Sequence, residues 1–316
     1  MEKLKPGFII EDKYKIMSLI AQGGMSDVYR AERLSDNKVI AIKVPFQVLT
    51  EKLASAQRFK RSEMIRTLIN HPNIVQIYEH EGQKSFPYML MEYVNGPSLD
   101  KIIKFKKNMP VTQIAKIAIQ VCDALEYIHQ HKIIHHDIKP GNIMLNREDD
   151  VKILDFGLAY AEAFKEDVWA DLMSVGGTPV YMAPEQLQGD NDARSDLYSL
   201  GVVMYEMATG KVPFRGDIKE LKNAHLSQTP PRPRFFNPQI PVQLENIILK
   251  AMTKDPDKRY QNAFEMRRDI INLIYTKDSK KLEKEVTRKY RRLILLGIIG
   301  IGIIALILIQ IVKMIK

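Results

Sequence analysis

His135-His136-Asp137-Ile138-Lys139-Pro140-Gly141-Asn142 sets a carboxylate, an ammonium and an amide within six residues. Working outward, Asp155-Phe156-Gly157 follows thirteen residues beyond Asn142. Upstream, Ala41-Ile42-Lys43 lies in a stretch of strand character that follows a glycine-containing turn at Gly23-Gly24. Taken singly, each group has a plain structural reading: Asp137 suits a turn cap, Lys43 a surface strand and Asn142 a loop amide. Together they form the set that phosphoryl transfer requires. An acid must orient a hydroxyl and accept its proton, oxygen donors must hold Mg²⁺ on the phosphates, and a lysine must fix the α and β phosphates.

The bulk composition frames that set. The chain has 316 residues, 45% of them hydrophobic and 27% charged, which suits a globular protein with a sizeable core and excludes a disordered one. The one cysteine, Cys122, allows no internal disulfide and reads as a small buried hydrophobe in a helix, consistent with a reducing compartment. The formal net charge is +9. Residues 277–292 hold eight Lys/Arg against three Asp/Glu, a net of +5, so more than half of the excess sits in one short segment. Nucleic acid is therefore not the expected partner.

Hydrophobic patterning divides the chain. Strands are expected at Tyr14–Ile20, Ser26–Glu32, Val39–Pro45, Val75–His80 and Tyr88–Tyr93, with a helix over about Thr50–Ile69 between them. Helical patterns dominate from Leu99 onward. In Val111–His129, Ile114, Ile117, Ala118, Val121, Leu125 and Ile128 follow the 3.6-residue period. Thr229–Pro241 is rich in proline and reads as a loop. The expected fold is thus α+β and bilobal: a β-rich small lobe with one main helix, then a mostly helical large lobe.

The chain carries no apolar run near Met1 suited to a cleaved signal. Leu293–Val312 is twenty residues without a charge, long enough at 1.5 Å per residue to cross a bilayer core of about 30 Å. Arg288, Lys289, Arg291 and Arg292 precede it, which sets the N-terminal side in the cytoplasm and the C-terminus outside. The spacing of Gly297, Gly300 and Gly302 does not match GxxxG. Leu282, Val286 and Tyr290 recur every four residues among the cations of 277–292, which suits either a lipid-facing basic helix or a solvated linker. The expectation is a single-pass membrane protein: an extension at 1–13, a domain at 14–274 (small lobe about 14–94, large lobe about 95–274), a basic segment at 275–292, a transmembrane helix at 293–312 and a short external tail at 313–316, with no external sensor domain.

Over about residues 14–274 the sequence resembles the protein kinase family. The motifs above stand in the family's order, joined by Ala183-Pro184-Glu185, Asp196-Leu197-Tyr198-Ser199-Leu200-Gly201 and Arg259. Gly23-Gly24-Met25-Ser26 and Asp137-Ile138-Lys139-Pro140-Gly141-Asn142 look most like the bacterial, eukaryotic-like (Hanks-type) members. The resemblance implies that Asp137 is the catalytic base and that Lys139 neutralises the transferring phosphoryl group. It implies that Asn142 and Asp155 hold Mg²⁺, or Mn²⁺ in its place, and that Lys43 binds the α and β phosphates of ATP. It places Ala21, Gln22, Gly23, Gly24, Met25 and Ser26 over the phosphates. Val28, Ala41 and Met144 would flank adenine, with Met91 as gatekeeper and Glu92-Tyr93-Val94 as hinge. Asp-x-Lys-Pro favours serine and threonine acceptors on protein substrates. By the same resemblance His135 is structural, packing on Phe156, and a homodimer through the back of the small lobe is a partner to consider.

Three positions depart from the family. Ala21 replaces the first glycine of the phosphate loop and restricts φ there. The helix glutamate expected to pair with Lys43 falls at Ser62, with Glu63 beside it; one residue turns a helix by about 100°, so a register shift that brings Glu63 to Lys43 is expected, with loss of the pair as the alternative. His136 stands where an arginine usually receives an activation-segment phosphate, and neutral imidazole is a poor bidentate clamp. Residues 158–173 contain no serine or threonine; Ser174 and Thr178 remain, and Thr178 matches the position that contacts the catalytic loop. Activity independent of activation-segment phosphorylation is therefore expected. The competing readings are a nucleotide-binding scaffold, which the five intact polar residues oppose, and a small-molecule kinase, which Ala183-Pro184-Glu185 opposes.

Overall fold

The computed structural model describes residues 3–22, 26–46, 64–65, 68–80, 82, 84–156, 159–161, 179–189 and 192–275. The chain divides into two compact units, Met1–Ile270 and Ile271–Lys316, and everything below concerns the first. Of the second, residues 271–275 are helical. Gly23, Gly24, Met25, Glu63, Ser174, Thr178 and segments 276–292 and 293–312 lie outside the described residues. Among those described, no helix is long and apolar enough to cross a membrane.

The small lobe is a six-stranded antiparallel sheet made from β1 (Ile9–Ile10), β2 (Tyr14–Gln22), β3 (Ser26–Arg33), β4 (Lys38–Pro45), β5 (Ile77–Tyr78) and β6 (Met89–Glu92). The strand order is β1-β2-β3-β4-β6-β5. Period-2 alternation explains its two faces. Ile40, Ile42 and Val44 of β4 point into a core shared with Ile10, Tyr14, Ile16, Tyr29, Tyr88 and Leu90. Ala41 and Lys43 point the other way. Two irregularities in the β2–β3 ladder, between Ile16 and Ser18 and between Leu19 and Ala21, locally disrupt its pairing.

The sheet begins earlier than the expected domain start at 14. Ile9 and Ile10 pair with Lys15 and Tyr14. Ile10 is buried in the core, and Glu11 accepts hydrogen bonds from Ser85 N (2.7 Å) and Tyr88 Oη (2.8 Å). The strand expected at Val75–His80 shortens to Ile77–Tyr78. Val75 N instead donates to Ile153 O at 3.0 Å, which turns the chain toward the large lobe.

The large lobe is built on α1 (Leu99–Lys106), α2 (Val111–Gln130), α3 (Ala193–Thr209), α4 (Ile218–Ser227), α5 (Pro233–Phe236) and α6 (Val242–Ala251). Helix α2 buries the apolar positions its periodicity marked, and Cys122 among them. Helix α3 is buried nearly all round, including Ser195, Asp196 and Ser199, as a central helix must be. Asp192 caps its start by accepting from Arg194 N, and Gly210, at φ 68°, closes its end in the left-handed region that a glycine enters without strain. The proline-rich stretch read as a loop contains α5, with Pro233 in its first turn.

Candidate active site

Four short strands frame the catalytic segment. They are β7 (Ile133–Ile134), β8 (Ile143–Leu145), β9 (Val151–Ile153) and β10 (Tyr160–Ala161), with β8 antiparallel to β9 and β7 antiparallel to β10. Residues 135–142 cross from β7 to β8, and β9 delivers Asp155. Two bonds tie these stretches together: Leu154 N donates to Asn142 O at 2.8 Å, and His135 Nε2 lies 3.0 Å from Leu154 O. His135 is fully buried, and its ring packs on Phe156 with centroids 4.8 Å apart, as the resemblance implies.

At the centre, Asp137 Oδ2 accepts from Lys139 Nζ at 2.7 Å and from Asn142 Nδ2 at 2.8 Å. Asn142 Nδ2 also reaches Asp137 O at 2.9 Å, so the amide is oriented with its nitrogen toward Asp137. Lys43 Nζ donates to Asp155 Oδ2 at 3.0 Å across the cleft between the lobes. Asp155 and His136 adopt φ of 63° and 64°. Such conformations in non-glycine residues cost of order 1 kcal/mol and persist where the surroundings over-determine them.

At His136 the over-determination comes from Asp196, which sits in the middle of the large lobe. Its carboxylate accepts from His135 N (2.9 Å) and His136 N (2.9 Å) and lies 2.8 Å from His129 Nε2. Burial alone would raise this carboxyl; the His129 hydrogen bond and the surrounding imidazoles outweigh it and hold the group below the usual carboxylate range. Gln186 Nε2 closes the far side by donating to His136 O at 3.1 Å. His136 is thus buried at the base of the loop.

The walls of the cleft come from both lobes. Ala41 pairs with Met91 and Val28 with Lys43 in the sheet register. Met144 forms a bridge with Ser98, next to the hinge. Ala21 and Gln22 close β2 opposite Val28 and Asp27, so the residue at the first glycine position lies in extended, paired backbone that suits alanine. Ser26 is buried at the start of β3. Glu92 is engaged by Lys152 Nζ at 2.8 Å, which ties the hinge to β9, and Val94 is buried behind it. Of the residues assigned to this site, Asp137 touches Lys139 and Asn142, and Lys43 touches Asp155.

Three features escaped the sequence reading or entered it only as motif matches. Gly96 is required because a Cβ there would stand 1.8 Å from Leu145 O. Glu185 accepts from both Arg259 Nη1 and Nη2 at 2.6 Å, a buried bidentate pair that Ser195 Oγ joins at 2.7 Å. Asp196 is the third, known from the sequence only as the first residue of the Asp196–Gly201 motif.

The donor set fits a hard cation: a carboxylate at Asp155 and an amide oxygen at Asn142, held side by side by the Leu154–Asn142 bond. Among the described residues no cluster of three or more His, Cys, Asp or Glu could hold a metal alone. A cation bound by two protein oxygens must take its remaining ligands from phosphates and water, as Mg²⁺ in phosphotransferases does.

Residues 14–269 match the protein kinase domain family. The chain is 39% identical over 270 residues to the serine/threonine-protein kinase PknB of Mycobacterium leprae, covering 84% of this chain and 43% of that one. It is 37% identical over 264 residues to the probable serine/threonine-protein kinase SCO3848 of Streptomyces coelicolor, covering 82% and 39%. Against the probable serine/threonine-protein kinase CPE1738 of Clostridium perfringens the values are 38% over 266 residues, 84% and 38%. The chain belongs to the protein kinase family. It spans less than half the length of these relatives.

Proposed function

We propose that this protein transfers the γ-phosphoryl group of ATP to serine and threonine hydroxyls of protein substrates at the cytoplasmic face of a membrane. The observation that carries the chemistry is the pair of linked contacts in the cleft: Asp137 bonded to Lys139 and Asn142, and Asp155 bonded to Lys43. Asp137 Oδ2 orients the acceptor hydroxyl and takes its proton. Lys139, already 2.7 Å from that carboxylate, sits beside the transferring group and offsets its charge. Lys43 fixes the α and β phosphates, and Ala41, Val28, Met144 and the hinge residues receive the base. Ala21, Gln22 and Ser26, at the ends of β2 and β3, flank the loop that the family resemblance assigns to the phosphates. Asn142 and Asp155 would hold Mg²⁺ or Mn²⁺, which would supply positive charge against the phosphates.

The test is incubation of the purified full chain with labelled ATP, Mg²⁺ and a basic protein substrate beside Asp137→Asn. Loss of a positioned base costs about 10²–10⁴-fold. Equal label incorporation by the two proteins would remove this reading.

Regulation follows from His136. Its burial, and the absence there of an arginine's bidentate fork, favour activity without a phosphate on Ser174 or Thr178. Phosphatase-treated protein should keep its full rate; a large loss, restored by modification at Ser174, would overturn this. The intact Asp155–Lys43 bond leaves the part of Glu63 to experiment: Glu63→Gln should slow turnover if that carboxylate completes the pair. For membrane placement, the apolar run 293–312 and the cations before it support a single-pass anchor with the kinase domain inside. Alkaline carbonate should leave the full chain in the membrane pellet, and release into the supernatant would refute the anchor.

A further inference from the structure

The ends of α1 and α3 and the short helix α5 meet on one stretch of surface. Lys107 caps α1, and its carbonyl lies so near Gly210 that a Cβ there would come within 2.2 Å of it. Met109 N donates to Met207 O at 3.0 Å. Beyond Gly210, Lys211 Nζ stands 4.7 Å over the Phe236 ring, and Asn237 Nδ2 donates to Ala208 O at 3.0 Å.

Two properties of this surface stand out. The stretches 104–109, 209–213 and 228–241 contain Lys104, Lys106, Lys107, Lys211, Arg232 and Arg234 and no acidic residue. Glu245, which lies 3.7 Å from Arg232, is itself buried, and the Arg232 side chain stays 79% exposed. Among these cations Phe105 is 89% exposed and Phe235 79%, with Phe236 at 37%. Phenylalanine held that far into solvent carries a hydrophobic cost that folding of this chain does not relieve.

We infer that this face docks on an anionic bilayer surface. Cations interleaved with protruding aromatic rings are the composition that enters the headgroup region: the charges meet acidic lipids, each favouring the bound state about fivefold, while the rings bury apolar area at the acyl boundary. A nucleic acid or an acidic protein would satisfy the charges. The bilayer is favoured because the chain itself brings one close: only seventeen residues, 276–292, separate the helical residues ending at Tyr275 from the apolar run. Extended, they reach at most about 60 Å. The inference draws on the anchor for proximity alone and is read out separately from it.

The test uses the full chain carrying F235C, labelled with an environment-sensitive maleimide dye. Cys122 does not compete, because it is fully buried and burial pushes its thiol well up. The labelled protein is reconstituted into vesicles of phosphatidylcholine, with and without phosphatidylglycerol, each doped with a quencher-bearing lipid. Emission should fall at least twofold only in the anionic vesicles, and high salt should restore it. Combining F235C with K104E, K107E, R232E and R234E should abolish the quenching while phosphotransfer stays within twofold. Should that set unfold the chain, K104Q, K107Q, R232Q and R234Q provide the same comparison. Equal emission in neutral and anionic vesicles, or quenching that persists without the charges, overturns the inference. Binding to soluble polyanions without quenching in anionic vesicles also overturns it. Carbonate extraction reports the anchor independently, so either result can fail without the other.

Discussion

Lys43 and Asp155 show how a single residue can matter to activity and little to stability. Their ion pair spans the cleft at 3.0 Å with both side chains partly solvated, at 22% and 40% exposure, a setting in which an ion pair contributes roughly 0–1 kcal/mol. Lys43→Met should therefore leave the melting temperature nearly unchanged while phosphotransfer falls by about 10²-fold or more. Differential scanning calorimetry beside a labelled-ATP assay separates the two effects. His225 shows the reverse. It is buried against Tyr198, with Nδ1 2.9 Å from the hydroxyl; burial, and then the charge of Lys254, push it down to about 4. Since the folded value lies below the unfolded one near 6.5, the unfolded chain takes up the proton first. Stability is full above about pH 6.5 and declines as pH falls toward 4. Between pH 7 and 5 the loss should be about 2 kcal/mol, and His225→Gln should remove most of that slope in denaturant titrations. At this scale the cleft residues were legible because phosphate chemistry dictates residue types at fixed spacing. The contacts that Asp196 and His225 make were not, because their partners lie 61 and 27 residues away.

Among the elements, β4 was legible and β7, β8 and β9 were not. Eight residues rich in valine and isoleucine announce a strand; two or three cannot, since a period has no room to repeat. Yet these short strands do the positioning, by holding the catalytic segment between β7 and β8 and bringing Asp155 out of β9. The hinge approach works in the same way. Gly96 lets the chain pass within contact distance of Leu145 in β8, and any Cβ would have to displace that carbonyl. Gly96→Ala should cost more than about 2 kcal/mol, which for a domain of this size lowers the melting temperature by about 5 °C or more. A thermal melt checks it. The N-terminal strand β1 belongs here too. Its two residues gave no signal, but Ile10 fills the small-lobe core, so the sheet begins before Tyr14.

For the molecule as a whole, the switch from strand to helix patterns near Leu99 announced two lobes, and the structure has them. What holds the large lobe together was less visible. Glu185 and Arg259 lie 74 residues apart and form a buried bidentate pair, with the Arg259 side chain fully enclosed. Removing one partner of such a pair leaves a stranded charge and costs about 3–5 kcal/mol. Arg259→Met should show that loss in urea titration. The double change Glu185→Leu with Arg259→Met should cost clearly less than the two singles summed, because no charge is then left behind.

The buried carboxylate of Asp196 has a further consequence for how this enzyme fails. The same side chain that helps close the interior of the large lobe also grips the backbone from which Asp137, the proposed proton acceptor, projects. The lobe therefore cannot complete its interior and leave its chemistry unassembled, and heat should not yield a long-lived compact species that has lost turnover alone. Inactivation and melting curves recorded on one sample should superimpose, and cooling should restore rate and ellipticity together.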